Sequence, residues 1–123
     1  MLKVLYVDDD DDIRHIVELA LGLDPDIELT VASSGAEALV ELDKSGTPDI
    51  ILLDVMMPII DGPTLLGLLR KRPDTAEVPV VFMTAKTRPA DVEDYHARGA
   101  IGVIMKPFDP MRLAADIRAK LEN

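Results

Sequence analysis

The sequence contains no cysteine. This absence excludes a disulfide framework, a zinc site built from thiolates and a cysteine nucleophile. No apolar run approaches the roughly 20 residues that are needed to cross a bilayer. The short apolar segment 2–7 is followed at once by five aspartates, which is unlike a secretory signal. We therefore expect a soluble, cytoplasmic protein that has no membrane partner.

Basic residues are scarce in the first half of the chain. Residues 1–60 contain 3 Lys and Arg but 14 Asp and Glu, whereas residues 61–123 contain 10 and 9. The net charge of −10 argues against nucleic acid as a partner, because phosphate backbones attract mainly Lys and Arg. An acidic stretch is usually only a solvated surface, so its place in the fold must decide whether it is functional.

Strand-like and helix-like segments alternate along the chain, which we interpret as one domain over residues 1–123. Runs of β-branched and apolar residues predict five strands, at 3–7, 27–31, 49–53, 79–83 and 101–105. Between them, apolar residues recur at helical spacing: Ile13, Ile16, Val17, Ala20 and Leu21 in the first predicted helix, and Leu65, Leu66, Leu68 and Leu69 in the third. This alternation requires a parallel sheet with helices on both faces. We predict a doubly wound α/β fold, a flavodoxin-like three-layer sandwich of five strands and five helices.

Polar side chains stand at the carboxyl ends of the predicted strands. Asp8 and Asp9 follow the first strand, Asp54 the third, Thr84 the fourth and Lys106 the fifth. Ligands of open parallel sheets bind at that edge. In the strand order 2-1-3-4-5, which we predict here, the first and third strands are neighbours, so the three carboxylates meet in one crevice. Each residue alone has an ordinary explanation as a turn, cap or surface residue, but their coincidence on one edge indicates a site.

Three carboxylates held together repel one another at neutral pH. Shared protons, the ammonium of Lys106 or a hard cation can relieve this repulsion, and a set of oxygen ligands without Cys or His suits Mg²⁺ or Mn²⁺. With a hydroxyl from Thr84, the same site can bind a transferring phosphoryl group and spread its charge. Asp54 is the candidate nucleophile, which would form an aspartyl phosphate.

Four stretches together resemble the receiver domain of bacterial two-component response regulators, and in particular the single-domain chemotaxis regulators. They are VLYVDDD at 4–10, DVMMPIIDG at 54–62, MTAK at 83–86 and GAIGVIMKPF at 99–108. The resemblance covers essentially the whole chain. It implies that Asp54 accepts a phosphoryl group from a phosphohistidine on a partner, either a sensor histidine kinase or a histidine phosphotransfer protein. It also implies a Mg²⁺ bound directly by Asp9 and Asp54, through water by Asp8, and by the backbone carbonyl of Met56.

The resemblance assigns the remaining contacts as well. Thr84 would donate a hydrogen bond to the phosphoryl group and move on activation, and Lys106 would pair with that group, with the Lys106–Pro107 peptide in the cis form. The family usually has an aromatic residue three positions before the lysine, where this chain has Val103. Valine is stiff and too small for the same swing, so we expect no aromatic rotamer switch.

Other phosphate-handling folds fit the sequence less well. A flavodoxin-type nucleotide binder needs a Ser, Thr or Gly loop where the five aspartates lie, and a haloacid-dehalogenase-type phosphatase needs a second Asp where Met56 lies. No G-x-x-x-x-G-K-[ST] motif of a P-loop protein is present. The open alternative is a receiver-fold adaptor that binds partners without phosphorylation. Because the last predicted helix ends near residue 123, we expect output through an unknown target protein. The resemblance implies that the domain catalyses its own phosphorylation and dephosphorylation on Asp54 and is not a conventional enzyme.

Overall fold

The computed structural model describes residues 1–122 and shows five strands that alternate with five α-helices. The strands are β1 (Leu2–Val7), β2 (Ile27–Ala32), β3 (Ile50–Asp54), β4 (Val80–Thr84) and β5 (Gly102–Met105). The helices are α1 (Asp11–Gly22), α2 (Gly35–Ser45), α3 (Gly62–Arg70), α4 (Pro89–Ala97) and α5 (Leu113–Glu122), and a 3₁₀ turn over Pro110–Arg112 leads into α5. Asn123, which ends the predicted domain, lies outside the described residues. Within 1–122, no helix is both long and apolar enough to span a bilayer.

All five strands are parallel and lie in the order β2-β1-β3-β4-β5. The register pairs Val7 with Leu53 and Asp54 with Met83, so β1, β3 and β4 end at nearly the same level. This arrangement confirms the predicted fold class and strand order. Its consequence for function is that residues far apart in sequence meet at one edge of the sheet.

Apolar side chains fill both faces of the sheet. One cluster packs beneath α2, α3 and α4 and includes Leu53, Leu65 and Phe82. The other cluster lies between the sheet and the helices α1 and α5, and we call it the α1–α5 cluster; its core residues include Val17, Leu52 and Ile117. Every residue of β3 is buried, as expected for the central strand of a sheet that is covered on both sides.

Short polar side chains cap the N-termini of the first three helices. Asp10 accepts hydrogen bonds from two backbone N–H groups at the start of α1, Ser34 accepts one at the start of α2, and Asp61 accepts one at the start of α3. These contacts satisfy N–H groups that the helix itself leaves without partners. Asp11 and Asp12 occupy the first turn of α1, where negative charge is favourable. The third to fifth aspartates of the acidic run therefore have a structural role.

Two apolar residues expected on buried helix faces are partly exposed. Ile16 in α1 is 42% exposed and Leu68 in α3 is 36% exposed. Each helix packs on the sheet with only part of its apolar surface, so some of its apolar residues stay exposed. In α1 the fully buried residues are Val17 and Leu21. The predicted helices are therefore confirmed, but fewer of their apolar residues are buried than the periodicity predicts.

Arg70 joins the end of α3 to two neighbouring segments. Its guanidinium donates hydrogen bonds to the carbonyl oxygens of Thr75 (3.0 Å), Val78 (2.8 Å) and Gly99 (3.2 Å). Thr75 is fully buried and its hydroxyl donates to the carbonyl of Leu69 at 2.6 Å. Arg70 therefore connects α3 to the segment before β4 and to the turn between α4 and β5.

We predict that Arg70→Met lowers the free energy of unfolding by about 1–3 kcal/mol, because three carbonyl groups lose a charged donor. Urea unfolding followed by circular dichroism measures the change. Lys71→Met is the matched control, since Lys71 is the next residue and is exposed. Equal stability of the two variants would contradict the bridging role of Arg70.

Candidate functional site

Three carboxylates meet where β1 and β3 end. One oxygen each of Asp8, Asp9 and Asp54 lies within 4.8 Å of the others. Asp8 is fully buried and Asp54 is 8% exposed, whereas Asp9 faces solvent. The adjacency of β1 and β3 brings them together across 45 residues of sequence, so the cluster is a product of the sheet topology.

A lysine after β5 reaches into this cluster. The Nζ of Lys106 lies 2.7 Å from Oδ2 of Asp8 and 3.0 Å from Oδ1 of Asp54. The peptide between Lys106 and Pro107 is cis, as the resemblance implied. The backbone N–H of Lys106 also donates to the carbonyl of Thr84 at 2.9 Å, which ties the lysine to the end of β4.

Asp8 is held from several directions. Its Oδ1 accepts from the backbone N–H of Asp10 at 2.9 Å, and its Oδ2 accepts from the hydroxyl of Tyr6 at 2.6 Å. Its backbone carbonyl accepts from the guanidinium of Arg14 at 2.8 Å. Tyr6 and Arg14 are not among the residues predicted for this site. For Tyr6 a signal existed, because residues two apart on a strand share a face of the sheet.

Burial and neighbouring charges shift the pKa values of Asp54, Lys106 and Tyr6. Burial and the neighbouring carboxylate of Asp8 raise the pKa of Asp54 to about 6, although Lys106 partly opposes the shift. Burial works to lower the pKa of Lys106, but its bonds to Asp8 and Asp54 outweigh burial and raise that pKa above its ordinary value. Burial and the bond to Asp8 raise the pKa of Tyr6 as well. Tyr6 and Lys106 thus remain protonated hydrogen-bond donors at neutral pH, whereas the pKa of Asp54, about 6, lies only slightly below neutral pH.

Thr84 and Val103 lie on the next two strands. Thr84 ends β4 with 5% exposure, and its hydroxyl oxygen accepts from the backbone N–H of Lys86 at 3.0 Å. Val103 on β5 is half-buried and lines a cavity of about 320 Å³ beside Val92 and His96 of α4. The expected absence of an aromatic rotamer switch remains a prediction.

The loop between β3 and α3 approaches Asp54 closely. The N–H of Gly62 donates to the carbonyl of Val55 at 2.9 Å, and a Cβ at Gly62 would lie 2.5 Å from the carbonyl oxygen of Asp54. Ile59 in this loop has φ 70° and is fully exposed, a left-handed conformation that costs a β-branched residue about 1–3 kcal/mol. Because Gly62 has no side chain, its backbone can pack directly against the Asp54 carbonyl.

The side chains in the crevice suit a hard divalent cation. All the acidic groups offer oxygen, and three carboxylates face a single ammonium, which leaves negative charge to be neutralised. Oxygen ligands in such number are those that Mg²⁺ and Mn²⁺ prefer. Asp8, Asp9 and Asp54 would hold the ion. Met56 follows Asp54 by two residues and is 68% exposed. The role of its backbone carbonyl as a further metal ligand remains a prediction.

Comparison with known proteins agrees with this geometry. The profile of the response regulator receiver domain family matches residues 4–118. The chemotaxis protein CheY4 of Vibrio cholerae has a solved structure that superposes with a TM-score of 0.87 at 34% identity, over 97% of this chain and 98% of that one. The receiver domain of Francisella response regulator 1452 superposes with a TM-score of 0.85 at 30% identity, over 99% and 98%.

The curated relatives with similar sequences are longer proteins. The transcriptional regulatory protein CseB of Streptomyces avermitilis is 41% identical over 120 residues, which are 98% of this chain and 49% of CseB. The DNA-binding response regulator MtrA of Mycolicibacterium smegmatis is 34% identical over 98% of this chain and 51% of MtrA. This chain spans about half the length of these relatives. With a family match over most of its length and an acidic crevice at the ends of β1 and β3, the chain belongs to the receiver domains of two-component response regulators.

Proposed function

We propose that this receiver accepts a phosphoryl group on Asp54 from a phosphohistidine of a sensor kinase or phosphotransfer protein, in the presence of Mg²⁺. The main support is that the carboxylate of Asp54 lies beside those of Asp8 and Asp9 and contacts the ammonium of Lys106. Asp54 is buried and is the last residue of the central strand β3, at the edge of the sheet where ligands bind.

In the proposed reaction, an oxygen of Asp54 attacks the phosphorus atom. The new O–P bond forms as the P–N bond to the donor imidazole breaks, and the imidazole leaves with the bonding electron pair and takes up a proton. Mg²⁺, when bound, neutralises charge on the phosphoryl oxygens. Lys106 already contacts an Asp54 oxygen and would pair with the arriving phosphoryl group, and the hydroxyl of Thr84 would donate to it.

Several finer expectations belong to the same proposal. We expect a single-domain regulator in the cytoplasm that signals through contacts with a target protein. The net charge of −10 argues against direct contact of this domain with nucleic acid. The mass of the native protein in its own cells tests the single-domain expectation.

The first test is phosphorylation of Asp54. Incubation with acetyl phosphate and Mg²⁺ should add one phosphoryl group, measured as intact mass, and Asp54→Asn or a chelator should abolish it. Asp12→Asn is the control, because Asp12 is an exposed acid outside the crevice. If the wild type remains unmodified, the adaptor alternative replaces the proposal, and if Asp54→Asn is still modified, the acceptor is another residue.

The second test concerns the backbone at the acceptor. We expect Gly62→Ala to slow phosphorylation by about 10- to 100-fold, because the added methyl group displaces the Asp54 carbonyl from its position. Gly67→Ala in the same helix is the control, since a Cβ there meets nothing within 4 Å; it should keep the wild-type rate and gain about 0.5–1 kcal/mol of stability. Similar rates in the two variants would refute the role of Gly62.

The third test concerns pH. The folded state holds the proton on Asp54 up to about pH 6, against an ordinary pKa of 3.8, so ionisation of Asp54 destabilises the fold increasingly as the pH rises through this window. Without divalent cations, Asp54→Asn should therefore melt at a higher temperature than the wild type above pH 6, and the gap should narrow towards pH 4. A gap that stays constant from pH 4 to 8 would be inconsistent with the raised pKa.

A further inference from the structure

Tyr6 is the one tyrosine beside the crevice. It lies on β1 within the α1–α5 cluster, has no exposed surface and pairs in register with Leu52 of β3. The other buried members of that cluster are aliphatic or thioether side chains such as Val4 and Met83. A buried hydroxyl in such surroundings needs a hydrogen-bond partner, and the carboxylate of Asp8, 2.6 Å away, is that partner.

The contact constrains the oxygen of Asp8 that Lys106 also uses. Oδ2 of Asp8 accepts from the hydroxyl of Tyr6 and from the ammonium of Lys106, while Oδ1 accepts from the N–H of Asp10. The ring of Tyr6 is packed on all sides, so its hydroxyl has little freedom to move. Tyr6 therefore sets where the Asp8 carboxylate stands relative to Asp54.

From this arrangement we propose that Tyr6 is a positioning residue for the divalent cation site: its hydroxyl holds the Asp8 carboxylate in the orientation that receives the ion. The inference rests on the proposed Mg²⁺-dependent function. Without the hydroxyl, Oδ2 of Asp8 has Lys106 as its remaining side-chain donor. The ion pair between Asp8 and Lys106 then tightens, and an incoming cation must compete with the ammonium for the same charge.

The test measures cation binding by the unphosphorylated protein. Mg²⁺ is titrated into wild type and Tyr6→Phe, and the dissociation constant is obtained from backbone amide NMR shifts near Asp9 and Val55. We expect Tyr6→Phe to weaken Mg²⁺ binding by about tenfold, the low end of the effect of losing a group that orients a metal ligand. The effect is at the low end because the N–H of Asp10 and the ammonium of Lys106 still contact Asp8.

A second readout separates positioning from a general loss of packing. With acetyl phosphate as donor, Tyr6→Phe should be phosphorylated more slowly than wild type at low Mg²⁺ and at nearly the wild-type rate at saturating Mg²⁺. The matched control is Tyr95→Phe, which removes the hydroxyl of the other tyrosine. Tyr95 is also buried, but it packs against Phe82 on the opposite face of the sheet, so its variant should bind Mg²⁺ as the wild type does.

The outcomes are distinguishable. Weaker Mg²⁺ binding in Tyr6→Phe alone, with phosphorylation restored by added Mg²⁺, supports the inference. Binding that is unchanged or tighter in Tyr6→Phe, or weakened equally in Tyr95→Phe, overturns it and leaves the proposed function intact. No Mg²⁺ binding by the wild type overturns both. Tyr6→Phe should remain folded, because Oδ2 of Asp8 keeps the Lys106 donor.

Discussion

The site depends on the repulsion among the carboxylates of Asp8, Asp9 and Asp54 in a partly buried crevice. Asp8 and Asp54 are buried next to each other and share the ammonium of Lys106. Charges near one another interact several times more strongly in such surroundings than in bulk water. One ammonium does not balance three carboxylates, so the crevice keeps a negative charge that a bound divalent cation would neutralise. Burial and, after it, the neighbouring carboxylate of Asp8 raise the pKa of Asp54, which is the measurable consequence of this arrangement.

The sheet and the helix caps hold these carboxylates close together despite their mutual repulsion. The parallel sheet ends β1, β3 and β4 at one level, and the caps of α1 and α3 use Asp10 and Asp61 close to the site. In the loop after Asp54, Ile59 has a left-handed backbone conformation, and Gly62 approaches the Asp54 carbonyl too closely to carry a side chain. Functional sites commonly carry strain and unpaired charge that the rest of the structure compensates.

Much of this arrangement was predictable from particular residues. The β-branched runs and the helical spacing of residues such as Val17 and Leu21 were enough to predict five strands and five helices, because strands and helices have different periods of apolar residues. The parallel sheet follows because connections between parallel strands are right-handed crossovers. The exposure of Ile16 and Leu68 was not predictable. Periodicity shows which side of a helix is apolar, but the breadth of the buried face depends on the surface against which the helix packs.

For the site, the sequence by itself determined which chemical groups stand at the strand ends: acids at 8, 9 and 54, a hydroxyl at 84 and an amine at 106. Only the tertiary structure decided that Lys106 contacts Asp8 and Asp54 together, that the hydroxyl of Tyr6 holds Asp8, and that Gly62 shapes the backbone at Asp54. The physical reason is that strand alternation is a local property of the chain, which a sequence displays directly. Distances between side chains on different strands instead follow from register, burial and packing, which involve the whole molecule.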